Sequence, residues 1–381
     1  MIKILHTADL HLDSPFSGVP LAAGEELRRG LRQVFSRIVQ IAKDGGYDAI
    51  FAAGDVFDCG FVSPETVTLV REAFADFGKP VIIAPGNHDP YMPGSIWAVT
   101  PWSENVYIFK NDSPSFFDLD IGGTPTRVWG WAFMSDRLDA SPICAPLDCP
   151  SDRINLICAH ADTTSPISKY APSPLSLFAA SGCVYAALGH VHNPPEPALS
   201  GLTLVAYCGC PEGRSFDELH FGGVLSVTVH DGNATPTLER ITVASHRYEI
   251  LHVDVTGEDS DGAVLDKMHT AVNNSGFGAE TSLRIVLEGA VSTDYKPDTA
   301  ALADTLAART ELCSLSVKDS TLPVYSADEL ENDLSIRGAF YRALLPKLES
   351  ADADERSLAA KALRIGLLAL DGRSFLSGGS K

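Results

Sequence analysis

What most constrains this chain is where its polar residues stand relative to its apolar runs. Residues 2–5, 49–53 and 81–84 are short and nearly all apolar, and each leads within a few residues into a cluster of Asp, Asn and His. Helical stripes separate the runs. Leu27, Leu31, Val34, Ile38 and Ile41 recur at steps of four and three, and Gly45-Gly46 ends that helix. Ser63-Pro64 opens a second helix as N-cap and first helical residue, with Val67, Val70, Phe74 and Phe77 on one face. This β-α-β-α-β order predicts a layered α/β domain. In open α/β sheets ligands bind just past the strand ends, so the polar clusters stand where a site belongs.

Further apolar runs at 106–109, 127–133, 154–158, 184–188, 204–207, 224–229 and 238–243 carry the first domain to about residue 245, with Asp231-Gly232 read as a hairpin turn. Residues 248–318 then restart as strand, helix, strand, helix, strand: a compact βαβαβ module. Thr321-Leu322-Pro323 reads as a linker, and two helices are expected beyond it. Ser326 and Glu329 form a capping box ahead of Leu330, Leu334, Tyr341, Leu344 and Leu348. The second helix, near 354–370, carries Leu358, Ala362, Ile365 and Leu368 on one face. Residues 377–381 read as a flexible end.

The 381 residues are 45% hydrophobic and 20% charged, enough to bury a full core, and the net charge is −20 with no basic block. That balance disfavours a protein that grips nucleic acid by bulk positive charge. It leaves room for an enzyme that meets phosphates through metal ions. No stretch approaches the ~20 apolar residues of a membrane span. Eight cysteines without a Cys-x-x-Cys pair read as reduced thiols of a cytoplasmic protein.

The polar clusters form an ordered set: Asp9-Leu-His11, Gly54-Asp55-Val-Phe-Asp58, Gly86-Asn87-His88-Asp89, Cys158-Ala-His160 and Gly189-His190-Val-His192. Asp, Asn and His together supply the oxygen and nitrogen donors that suit Mn, Fe or Zn better than Mg. Asp-x-His and His-x-His place two side chains on one side of an extended segment, so both can reach one ion. Each piece alone has a blander explanation: Asp-x-His arises by chance and Gly-Asp is a common turn. The ordered set does not.

With these five motifs the sequence resembles the calcineurin-like metallophosphoesterases. The resemblance implies a four-layer α/β/β/α sandwich and two divalent metal ions, with Mn2+ expected and Fe or Zn as alternatives. It assigns Asp9, His11, Asp55 and His192 to one metal, and Asp55, Asn87, His160 and His190 to the other, with Asp55 bridging. It makes His88 a catalytic group acting on the phosphate. Asp89 either orients His88 or caps the following turn.

The opening from His6 to Phe16, and Asp333 to Phe340, are further similar to SbcD-type DNA repair nucleases, in particular their YhaO-like branch. That resemblance implies a catalytic domain over 1–245, a capping domain over 246–322 and a partner-binding helical segment over 323–381. It also implies DNA as substrate and an SbcC-type coiled-coil ATPase as partner, with a homodimer as one possible assembly and no role for a membrane. Arg28, Arg29 and Arg32 on one helix, with Arg127, Arg137 and Arg153, are the candidate basic surface, the alternative being ordinary solvated arginines. Two rival functions stand beside the nuclease: a nucleotide phosphodiesterase or phosphatase with the same chemistry, and a non-catalytic scaffold on the same fold.

Overall fold

The computed structural model describes residues 1–17, 21–58, 62–143, 146–230 and 234–370. The Asp231-Gly232 turn and the 377–381 end lie outside them. The chain divides into two units, Met1–Tyr248 and Glu249–Lys381.

The first unit runs β1(Ile2–Thr7), α1(Leu21–Asp44), β2(Ala49–Ala52), α2(Pro64–Phe77), β3(Val81–Ile83), α3(Ile96–Val99), β4(Val106–Ile108), β5(Ser115–Ile121), β6(Thr124–Gly130), β7(Ile154–His160), α4(Leu175–Ala179), β8(Tyr185–Gly189), β9(Ala198–Ser200), β10(Thr203–Tyr207), β11(Gly223–Val229) and β12(Thr237–Thr242). Two six-stranded sheets result, ordered β12-β11-β1-β2-β3-β4 and β5-β6-β7-β8-β10-β9. Strands β1 to β4 are parallel to one another, as are β6, β7, β8 and β10.

The continuous apolar runs follow from burial on both faces. Ile4, Ala49, Phe51 and Ile82 point inward and pack with Val128, Leu156, Cys158, Tyr185 and Ala187 of the second sheet. The alternate residues Leu5, Ile50, Val81 and Ile83 point outward onto Leu31, Val34, Phe35 and Ile38 of α1 and Val70 and Phe74 of α2. Across the molecule Trp129, Ile157, Ala186, Leu188 and Val205 pack with Phe178 of α4. These three apolar layers between four layers of structure are the α/β/β/α sandwich. Helix α2 begins as its sequence requires, with the Ser63 hydroxyl accepting from Thr66 N at 3.2 Å and Gly78 closing it at φ 70°.

The second unit contains β13(Arg247–Asp254), α5(Asp261–Ser275), β14(Thr281–Glu288), β15(Ala290–Ser292), α6(Thr299–Ala307), β16(Ser314–Asp319), β17(Leu322–Val324), α7(Ala327–Asn332), α8(Ile336–Leu348) and α9(Ala353–Leu370). Its sheet is ordered β13-β14-β16 over a core of Val264, Met268, Leu283, Ile285, Leu302 and Leu306. Two expectations are corrected here. The proposed linker is a strand: Leu322, Pro323 and Val324 pair in parallel with Ala290, Val291 and Ser292. A two-stranded ribbon tolerates the proline because its edge needs no further donor. The helix expected through Leu334 breaks into α7 and α8. Asp333 accepts from Ser335 N at 2.7 Å and Ser335 accepts from Arg337 N at 3.2 Å. Such local side-chain bonds compete with helix continuation, and they leave Leu334 96% exposed.

Candidate metal centre

Five loops leave the carboxyl ends of β1, β2, β3, β7 and β8 and converge. The loops after β1 and β2 run on as a bonded pair, with Asp9 N donating to Gly54 O at 3.0 Å, His11 N to Asp55 O at 2.9 Å and Leu12 N to Val56 O at 2.9 Å. Those bonds hold Asp9, His11 and Asp55 at φ 51°, 45° and 51°, a left-handed conformation that non-glycine residues adopt only under constraint. Gly54 sits at φ 96°, and a Cβ there would overlap the His160 ring; one on Gly86 would overlap the Asp55 carboxylate. The motif glycines are therefore spacers that let ligand-type side chains approach.

The donors face one another. His11 Nε2 lies 3.1 Å from His192 Nε2 and 3.8 Å from Asp55 Oδ2. His160 Nε2 lies 3.0 Å from Asn87 Oδ1 and 3.3 Å from Asp55 Oδ2. Asp9 accepts from His190 N at 3.0 Å, and its carboxylate stands 3.9 Å from His160 Nδ1. Three groups, Asp9–His11–His192, Asp9–Asp55–His160 and His11–Asp58–His88, each offer three donor atoms within 4.8 Å of one another. Two backing acceptors set the tautomers. Ala53 O takes the His160 Nδ1 proton at 3.0 Å and Glu218 Oε1 takes that of His192 Nδ1 at 2.7 Å, which leaves both Nε2 atoms facing the centre.

The electrostatics ask for cations. Asp9 and Asp55 are each 1% exposed. Burial pushes the Asp9 carboxyl above its ordinary value. Burial opposes ionisation of Asp55 too, yet His160, His11 and His88 hold it well below the usual carboxylate range. Burial lowers His160, but Asp55 and Asp9 outweigh it and hold the imidazole up at about 9. The buried His11 Nδ1 has no hydrogen-bond partner. This donor set can hold divalent metal ions, with Asp9, His11 and His192 in one group and Asp9, Asp55 and His160 in another, Asn87 standing beside His160. His190 stands at the rim, its ring 5.3 Å from that of His160 and 4.8 Å from that of Tyr170. Burial pushes His190 down to about 4, with the neighbouring His160 adding to the effect.

His88 is held differently. Its backbone N donates to Asp55 Oδ1 at 2.9 Å and its Nδ1 lies 2.8 Å from Asp58 Oδ1. Its side chain is 35% exposed, against 0% for His11 and His160, so it stands at the mouth of the site. The Asp58 hydrogen bond raises its pKa. The expected orienting role of Asp89 gives way here to Asp58. Asp89 accepts instead from four backbone amides, Gly86 N at 2.7 Å, Val56 N at 2.8 Å, Phe57 N at 3.1 Å and Asp55 N at 3.2 Å, and so ties the loop after β3 to the loop after β2.

Sequence reasoning missed Arg214 and Glu218. Arg214 Nη2 donates to Glu218 Oε1 at 2.6 Å, and Arg214 Nη1 stands 3.5 Å from Asp58 Oδ2. Ser14 Oγ donates to the same Asp58 oxygen at 2.6 Å. One half-buried guanidinium therefore joins the carboxylate behind His88 to the carboxylate behind His192. No motif spacing announces it, since 208–222 is largely irregular chain.

A family model described as calcineurin-like phosphoesterase matches residues 2–194, the span that holds all five converging loops. The chain belongs to the calcineurin-like phosphoesterase family. Within that family it is 26% identical over 306 residues to the metallophosphoesterase YhaO of Bacillus subtilis, covering 76% of this chain and 72% of that protein. It is 28% identical over 273 residues to the SbcD component of the SbcCD nuclease of Bacillus subtilis, covering 60% of this chain and 66% of the relative. The DNA double-strand break repair protein Mre11 of Aeropyrum pernix is also 28% identical over 273 residues, covering 67% of this chain and 64% of that one. As a member of this family the chain is a phosphoesterase built around metal-binding residues. No helix among the described residues is long and apolar enough to cross a membrane.

Proposed function

We propose that the chain is a two-metal phosphodiester hydrolase that acts on DNA together with an SbcC-type ATPase. The observation that carries the chemistry is Asp55, a buried carboxylate set between the imidazoles of His11 and His160, where one group can serve two ions. A pair of divalent ions at such a site supplies a nucleophile from water and neutralises charge on the phosphoryl oxygens. The chain's own residues do the rest. Asp58 accepts a hydrogen bond from His88 Nδ1 at the mouth of the site. There His88 stabilises the phosphate or protonates the leaving oxygen, a contribution of typically ~10²–10⁴-fold. Glu218 and Ala53 O keep His192 and His160 in the ligating tautomer.

The DNA reading and the ATPase partner rest on similarity to SbcD and Mre11. A nucleotide-sized phosphodiester is the second reading, and one observation favours it. All six arginines expected to form a basic surface are ion-paired: Arg28 with Glu25, Arg29 with Glu26, Arg32 with Asp13 and Glu25, Arg127 with Asp118 and Asp148, Arg137 with Asp136, and Arg153 with Asp118 and Asp152. These six arginines thus bring little free positive charge to a polyanion, and the ATPase would supply it.

Two measurements test this. Elemental analysis should find two metals per chain, Mn2+ restoring turnover best, and neither metal in Asp55→Ala; two metals retained in that variant refute the shared carboxylate. The kcat/KM on short DNA should exceed that on linear and cyclic dinucleotides at low and physiological salt. A ten-fold preference for dinucleotides in both conditions replaces the nuclease reading with the second one.

A further inference from the structure

Two thiols lie together away from the converging loops. Cys149 stands in the segment before β7, Cys183 two residues before β8, and their sulfurs are 3.7 Å apart. A disulfide needs about 2.05 Å, so closure asks for a shift of under about 2 Å. The pair is asymmetric. Cys183 is 1% exposed while Cys149 is partly exposed. As a thiol Cys149 donates to Ser181 O at 3.2 Å, while Cys183 is placed to donate its S–H to the Cys149 sulfur. Arg127 anchors the turn beside it, bonding Asp148 O at 2.9 Å and Asp148 Oδ2 at 3.2 Å. The Trp129 indole N–H is buried with no hydrogen-bond partner, and Trp129 contributes to lowering the Cys149 pKa. A thiol that receives such donors and a nearby guanidinium ionises more readily than one in an apolar core.

We propose that Cys149 and Cys183 are a peroxide-oxidisable dithiol, with Cys149 the attacking sulfur and Cys183 the resolving one. The Cys149 thiolate attacks the O–O bond: S–O forms, O–O breaks, and the departing hydroxide takes up a proton as water. The Cys183 sulfur, losing its proton, then attacks the sulfenic sulfur: S–S forms, S–O breaks, and a second water leaves. The two thiols give up two electrons and two protons, and the peroxide accepts them. The electrostatics agree with this division of labour. The Cys183 hydrogen bond, with Trp129 and Arg127, holds Cys149 below the usual thiol value, while that same bond and burial hold Cys183 above it. Cys158 and Cys208, buried at 0%, are pushed up by burial, for Cys208 in spite of the nearby Arg240.

The position gives the bridge a structural meaning. Strands β7 and β8 are parallel neighbours in register from Leu156 opposite Tyr185 to His160 opposite Gly189. A Cys149–Cys183 bond would tie the amino-terminal ends of both, at the opposite end from His160 and His190. It would therefore stiffen the second sheet without touching the ligand-bearing loops.

The test uses the full metal-loaded chain, a few equivalents of hydrogen peroxide, quenching with N-ethylmaleimide, digestion and mass spectrometry. A Cys149–Cys183 cross-linked peptide, two hydrogens lighter, should form at least about ten-fold faster than oxidation of the exposed Cys313. In Cys183→Ser, Cys149 should stop as a sulfenic acid that dimedone traps; in Cys149→Ser, Cys183 should stay a maleimide-labelled thiol. The wild-type measurement needs no variant to fold. Free Cys149 and Cys183 when Cys313 is already oxidised overturn the proposal, as does a bridge from Cys144 to either partner. Loss of the dimedone adduct in Cys183→Ser would also overturn it.

Discussion

Replacing Asp89 by alanine separates a loop anchor from a catalytic carboxylate. Asp89 is 8% exposed and accepts from four backbone amides at 2.7–3.2 Å, two strand-end loops meeting on one side chain. Alanine leaves those four donors facing a space the size of a carboxylate. A buried donor that loses its acceptor forfeits about 1–3 kcal/mol. Water entering the space recovers part of that, so a net loss of about 3–5 kcal/mol is expected. For a domain of this size each kcal/mol lowers Tm by about 2–4 °C, which predicts a fall of roughly 6–20 °C. Thermal melting of metal-loaded Asp89→Ala measures it, alongside kcat on a chromogenic phosphodiester well below the variant's Tm. A Tm within 2 °C of the parent, with kcat lost, would show that the carboxylate serves His88 and not the loops, and the assignment drawn from the four amide bonds would fall.

Asp58→Asn should cut kcat by about 10²-fold or more while metal content is unchanged, since it weakens the hydrogen bond that holds His88; loss of a metal would show that the His11–Asp58–His88 group holds an ion. Arg214→Lys keeps the charge but not the fork spanning Asp58 and Glu218, so kcat should fall by about ten-fold with KM little changed, and a change in KM alone would assign Arg214 to substrate binding. Glu212, 7% exposed, is pushed up to about 7 by burial. Its folded value lies above the unfolded one, so its contribution is present below about pH 4.5 and is lost as pH rises through 7. Glu212→Gln should therefore flatten the decline of Tm between pH 5 and pH 8, and an unchanged decline would refute the assignment.

The strands and the candidate ligands were readable because burial on both faces forces continuous apolar runs, and a polar cluster after such a run has no packing use. Helix α2 was readable from Ser63, Pro64 and its apolar stripe for equally local reasons, while its Gly78 cap was not. What escaped depends on contacts made only in three dimensions. Asp58 meets His88 30 residues away and Arg214 156 residues away, and no spacing encodes either contact. The edge strand β5 alternates half-buried and exposed residues around Asp118 and Asp120, so its apolar signal is weak. The break after Asn332 was hidden because Leu330 and Leu334 keep a helical spacing while Asp333 and Ser335 end the helix with their own side chains.

The centre draws Asp9, His11, Asp55 and Asn87 from loops on one sheet, and His160, His190 and His192 from loops on the other. The gap between the sheets is therefore a dimension of the active site, as the bore is of a bearing. Phe51, Cys158, Tyr185 and Ala187, buried between the sheets beneath the loops, act as its shims. Donor positions tolerate shifts of only a few tenths of an ångström about a bound ion, and a close-packed interior transmits the volume of a single methylene. Conservative changes in this apolar layer, such as Ala187→Val, should then shift metal affinity and turnover even though they touch no polar atom.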